Sequence, residues 1–89
     1  MTALHIESER RESIRTVADL LTAHMRPCLI RVNQNNGTPY DIVGAKLTHW
    51  MRRYQFLPVK LFDHSCGQSH YVVQGNGDFL QAVISMEAA

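Results

Sequence analysis

At 89 residues, with 45% apolar and 19% charged side chains, the chain has the composition of one soluble domain, residues 1–89, built on a single core. Nine Lys and Arg against eight Asp and Glu leave a net charge of +1, too neutral to predict nucleic acid from charge alone. No apolar run approaches the roughly 18 residues of a membrane span, no signal-peptide core opens the chain, and two cysteines do not make a secreted disulfide framework. The expected setting is reducing and cytoplasmic, with no membrane.

Residues 2–6 (TALHI) alternate weakly and read either as a short first strand or as a lead-in. Ser8 then suits a helix N-cap, with Glu9 and Glu12 in a first turn whose dipole favours negative charge. Ile14, Val17, Ala18, Leu21 and Met25 mark one face of that helix, which should end near Arg26, ahead of Pro27. Arg11, Arg15 and Asp19 occupy the opposite face. His24, at the edge of the apolar arc, reads as a half-buried histidine bonded to backbone. Residues 28–34 (CLIRVNQ) alternate as a strand should, placing Cys28, Ile30 and Val32 on one face and Leu29 and Arg31 on the other. Cys28 is then a small core residue.

The strongest periodicity lies between the turn Asn35-Asn36-Gly37 and Pro58. Thr38 precedes Pro39, a favoured first helical residue, and Asp41 stands where it could complete a capping box with Thr38. Val43, Leu47, Trp50, Met51 and Tyr54 then fill an arc of roughly 100° on a helical wheel. The spacing predicts a helix over residues 38–56 with Trp50 in the core, ended by Pro58. Beyond it, Val59–Asp63 (VKLFD) and residues 71–74 (YVVQ) suggest an antiparallel hairpin with a long loop. Residues 75–77 (GNG) make another turn. Residues 78–86 suit a strand or a short helix capped by Asp78, and the turn before them favours the strand.

The order is β-α-β-α-β-β with a further C-terminal strand. It predicts a two-layer α/β sandwich, two helices on one face of a mixed sheet. The strand CLIRVNQ, the step Asp41–Gly44 (DIVG), the amphipathic helix and the closing HYVVQ resemble the TusA-like (SirA-like) sulfur-carrier family over roughly residues 4–74. Alba-type nucleic-acid binders fit the same order. The sulfur-carrier resemblance implies a persulfide relay at a Cys-Pro-x-Pro element opening the first helix. That position here is residues 9–12 (ERRE), with no thiol whose pKa a helix N-terminus could lower. No functional residue of that family carries over.

Three constellations remain. His64, Cys66 and His70, with Asp63 or His49 as a fourth ligand, could hold zinc, although H-x-C-x3-H is not a standard zinc spacing. The bland alternative is a polar hairpin loop. Cys66 could instead be a reactive thiol with His64 or His70 as its base. Lys46, His49, Arg52 and Arg53 form a basic face of the central helix that could meet phosphates, against the reading of a solvated helix surface. Trp50 and Tyr54 belong to the core before they belong to any stacking platform. Gly75-x-Gly77 is too short for a dinucleotide fingerprint, and no cofactor is expected.

The expectation is therefore a small bacterial-type, non-catalytic module that binds a protein partner or a second copy of itself, its strand edges being free to pair. Nucleic-acid binding through the basic helix face is the runner-up. A sulfur-relay or zinc protein using Cys66 is the third reading.

Overall fold

The computed structural model describes residues 14–23, 26–63 and 69–87. Its elements in chain order are α1 (Val17–Thr22), β1 (Pro27–Asn33), β2 (Tyr40–Ile42), α2 (Lys46–Arg53), β3 (Val59–Asp63), β4 (Ser69–Gln74) and β5 (Gln81–Met86). The five strands form one sheet in the order β2-β1-β5-β4-β3. Every pairing is antiparallel. The two-layer α/β arrangement is the one the sequence indicates, but the sheet is not mixed. Its connections between paired neighbours are hairpins, except that β5 returns from the end of the chain to lie between β1 and β4. The expected strand at residues 2–6, the cap at Ser8, and His24 and Met25 lie outside the described residues.

Alternation places one face of the sheet in the core. Ile30 and Val32 of β1, Tyr71 and Val73 of β4, and Ala82 and Ile84 of β5 are all wholly buried. The registers align Ile42, Ile30, Ile84, Tyr71 and Leu61 straight across the strands. Both helices cover this face. From α1 come Val17 and Leu20, and from α2 come Leu47, Trp50 and Met51.

Within the described residues the expected helix is interrupted: residues 14–16 are not helical, and α1 starts at Val17. Thr16 is an extended N-cap and forms a capping box with Asp19. The Asp19 carboxylate accepts the backbone N–H groups of Arg15 and Thr16 at 2.8 and 3.0 Å. Arg15 is thereby extended beside β3, and its carbonyl accepts the Val59 N–H at 2.9 Å. Ala23, also extended, ends the helix before Arg26. Leu20, outside the expected arc, is among its most buried residues.

The second helix is shorter than expected. Residues 40–42 leave the helical pattern to pair with β1, where the Arg31 guanidinium grips Asp41 through Nε at 2.8 Å and Nη2 at 3.1 Å. Pro39 fits this arrangement because an edge strand tolerates a missing N–H at its start. Gly44, at φ +67°, turns the chain from strand to helix, a conformation that favours glycine. Val43 is consequently 58% exposed instead of core. Thr38 and Asp41 do not cap α2, whose N-cap position is Ala45. At the other end, the Tyr54 N–H bonds the Trp50 carbonyl, and Pro58 follows as expected. Arg52 and Arg53 sit in the last turn, where the helix dipole favours cations.

Cys28 is not a core residue. The β1–β5 register shifts between Pro27 and Leu29, and the extra residue reverses the alternation. Cys28 is exposed, its thiol donating to the Ser85 carbonyl at 3.4 Å.

The tail is a strand, as the turn before it suggested. Asn76 folds the β4–β5 connection by accepting the Asp78 N–H at its side chain and the Phe79 N–H at its carbonyl. A β-carbon on Gly75 would overlap the Phe79 carbonyl oxygen, so the tight return requires glycine. Phe79 is swung inward against Trp50 and Tyr54, with ring centroids 5.5 and 4.9 Å away. Leu47→Ala is expected to cost about 2–5 kcal/mol in chemical denaturation, and native Trp50 emission should be that of a buried indole. A loss below about 1 kcal/mol would place Leu47 on the wrong face.

Candidate binding surface

The residues expected to carry chemistry are distributed as follows. Lys46, His49, Arg52 and Arg53 are all exposed on α2. Arg53 turns aside from the others: its Nη2 lies 3.7 Å from Asp78, and its guanidinium lies 5.4 Å from the centroid of the Tyr54 ring. Tyr54 donates its hydroxyl to the same Asp78 carboxylate at 3.1 Å. Burial, then this hydrogen bond, pushes the Tyr54 phenol above its ordinary value. The Arg53–Asp78–Tyr54 group thus ties the end of α2 to the β4–β5 turn. Lys46, His49 and Arg52 have no carboxylate partner among the described residues.

His64 and Cys66 lie outside the described residues, as does the Asp63 side chain. His70 is described, and it belongs to β4, not to the loop. Its ring lies parallel to Phe62 with centroids 5.5 Å apart. Among the described residues, no group of three or more His, Cys, Asp or Glu side chains could hold a metal ion. No helix there is long and apolar enough to cross a membrane.

The surface that sequence reasoning missed is the other face of the sheet. The described helices pack on one face only, while the strands carry apolar residues on both. Two rows cross this outer face. One runs Asp41, Arg31, Val83, Val72, Lys60 from the β2 edge to the β3 edge. The next runs Leu29, Ser85, His70, Phe62. Phe62 is 44% exposed, with the Lys60 ammonium 5.8 Å from its ring centroid. Leu29, Val72 and Val83 are half-buried. The signal was present in CLI, YVV and AVI: consecutive apolar residues in a strand mean that both faces are to be covered. Phe56, 85% exposed after α2, is a single exposed apolar side chain and needs no such explanation.

No protein-family model matches the chain, and no curated protein or solved structure matches it either.

Two carboxylates titrate below their ordinary range. Hydrogen bonding by the Arg31 guanidinium lowers Asp41, and the backbone N–H groups of Arg15 and Thr16 lower Asp19. Because each folded-state value is depressed, the associated stability is present above the unfolded value and is lost as pH falls through the folded one. Thermal midpoints should therefore hold through neutral pH and fall below about pH 3.9. In Asp19→Asn that acid-side slope should be shallower. An unchanged slope would remove Asp19 from the linkage.

Proposed function

We propose that this chain is a small cytoplasmic, bacterial-type protein-binding module, without catalytic chemistry of its own, and that the outer face of its sheet is the binding surface. The observation that carries this reading is the sheet face that the described helices leave uncovered. Apolar side chains on the outer sides of β1, β3, β4 and β5 have no helix over them among the described residues, while the opposite face is fully packed. A sheet face of this kind gains free energy when another surface removes it from water. Kinship with the TusA-like family belongs to the same proposal: a sandwich frame retained, with the relay thiol gone from its usual place.

The exposed Lys46, His49 and Arg52 favour a second reading, contact with phosphates through α2. Their number is small, and the net charge of +1 adds little long-range attraction. The purified chain should retain no DNA or RNA at physiological ionic strength.

Immobilised chain should capture a protein that Val72→Arg fails to capture, because the substitution puts a charge at the centre of the outer face. A Lys46→Ala/Arg52→Ala variant should capture it unchanged. The reverse pattern would move the site to α2. Salt-sensitive retention of nucleic acid, lost with Arg52, would replace the protein-binding reading.

A further inference from the structure

We propose that the occupant of the outer sheet face is a second copy of this chain, packed face to face about a two-fold axis that runs along β5. The proposal rests on the reading of that face as the binding surface and names its partner.

The argument is one of self-complementarity. An isologous interface must set each residue against its own mirror position, so a surface suits a two-fold only if its features match in that way. β5 is the middle strand of five. A two-fold axis parallel to it keeps the level along the strands and reverses their order, laying β2 over the partner's β3 and β1 over the partner's β4.

The edges of the outer face satisfy this operation, which also lays Arg31 over the partner's Val72 and Leu29 over the partner's His70. The row that begins with Asp41 at the β2 edge ends with Lys60 at the β3 edge. Reversal sets Asp41 against the partner's Lys60 and, by symmetry, Lys60 against the partner's Asp41. Val83, on β5, meets its own copy at the axis. Asp41 is already held in place by its own Arg31 and remains exposed, so it can bridge that guanidinium and the partner's ammonium. Lys60 has no carboxylate partner within the described residues. In the neighbouring row Ser85, on β5, meets its own copy at the axis. A third row runs Asn33, Gln81, Gln74, and reversal sets the Asn33 amide against that of the partner's Gln74. Unlike charges meet at the edges, Val83 meets its own copy at the axis, and amides meet in the third row.

The patch is modest. Five strands about 4.8 Å apart and about 20 Å long give a face on the order of 500 Å² per protomer, at the small end for a specific interface. Association in the micromolar range is expected. A two-fold parallel to β5 keeps the strands of the two sheets aligned, and because it preserves the hand of the twist the two faces follow one another.

Sedimentation equilibrium of the full chain, from about 1 μM to about 1 mM, reads the mass directly. A concentration-dependent doubling is expected. Lys60→Glu should weaken it about tenfold by opposing the partner's Asp41, and less so at high salt. Val83→Arg should leave a monomer with an unchanged circular dichroism spectrum. The two-fold makes a sharper claim that survives a folding defect in that variant. With Cys28→Ser and Cys66→Ser as background, Val83→Cys faces itself across sheets about 10 Å apart, too far for a disulfide but within reach of a short bis-maleimide. That reagent should join it into a covalent dimer faster than it joins Val72→Cys, which faces the partner's Arg31. A monomer up to about 1 mM, or a dimer indifferent to both Val83→Arg and Lys60→Glu, overturns the proposal. A monomeric chain that still captures another protein in a Val72-dependent way removes the second copy as occupant and leaves the binding surface standing. Loss of that capture dependence as well removes both.

Discussion

The sheet depends on β5. It is the last described strand in sequence and the middle one in space, paired on one side to β1 and on the other to β4. Ala82 and Ile84 are wholly buried, and both sets of backbone hydrogen-bonding groups are used by neighbours. Without β5 the remaining strands are two hairpins, β1–β2 and β3–β4, and an isolated hairpin is marginal in water. The pairing Ile30 with Ile84 also joins residues far apart in the chain. Such non-local contacts are reached only after a loop-closure cost, so β1–β5 pairing is a natural late step in folding.

The β4–β5 turn is where sheet and helix layers are fastened. Gly75 allows the tight return, Asn76 holds it, and Phe79 enters the aromatic group with Trp50 and Tyr54. Asp78 adds a polar clasp to Tyr54 and Arg53 on the rim of that group. A single connection therefore sets the position of β5 and the pitch of α2 over it. Buried aromatics fix this geometry more firmly than the exposed ion pair, whose charges water screens.

Where one physical effect dominated, the sequence was readable. The arc of Leu47, Trp50 and Met51 gave the buried side of α2, and the runs VKLFD and YVVQ gave β3 and most of β4. Misreadings came where two effects competed. Pro39 and Asp41 suit a helix start, yet pairing with β1 and the Arg31 grip hold residues 40–42 extended. Thr16 with Asp19 carried the true helix-start signal for α1, hidden because the apolar period appeared to run through it from Ile14. The inward placement of Cys28 failed on the one-residue shift in the β1–β5 register, which alternation alone cannot reveal. The outer face was overlooked because each strand was assigned a single buried side, although Leu29, Val72, Val83 and Phe62 all fall on the other.

Asp19 does more than start a helix. The Arg15 carbonyl accepts the Val59 N–H, but the Arg15 N–H, instead of returning that bond to β3, is held by the Asp19 carboxylate. One side chain thus holds the backbone donor that a continuing ladder would give to β3. Protonating Asp19 weakens that hold and offers β3 a competing backbone donor. In acid the same residue that unfastens a helix would free a backbone donor beside a sheet edge, and unpaired edge groups are the seeds from which ordered aggregates grow.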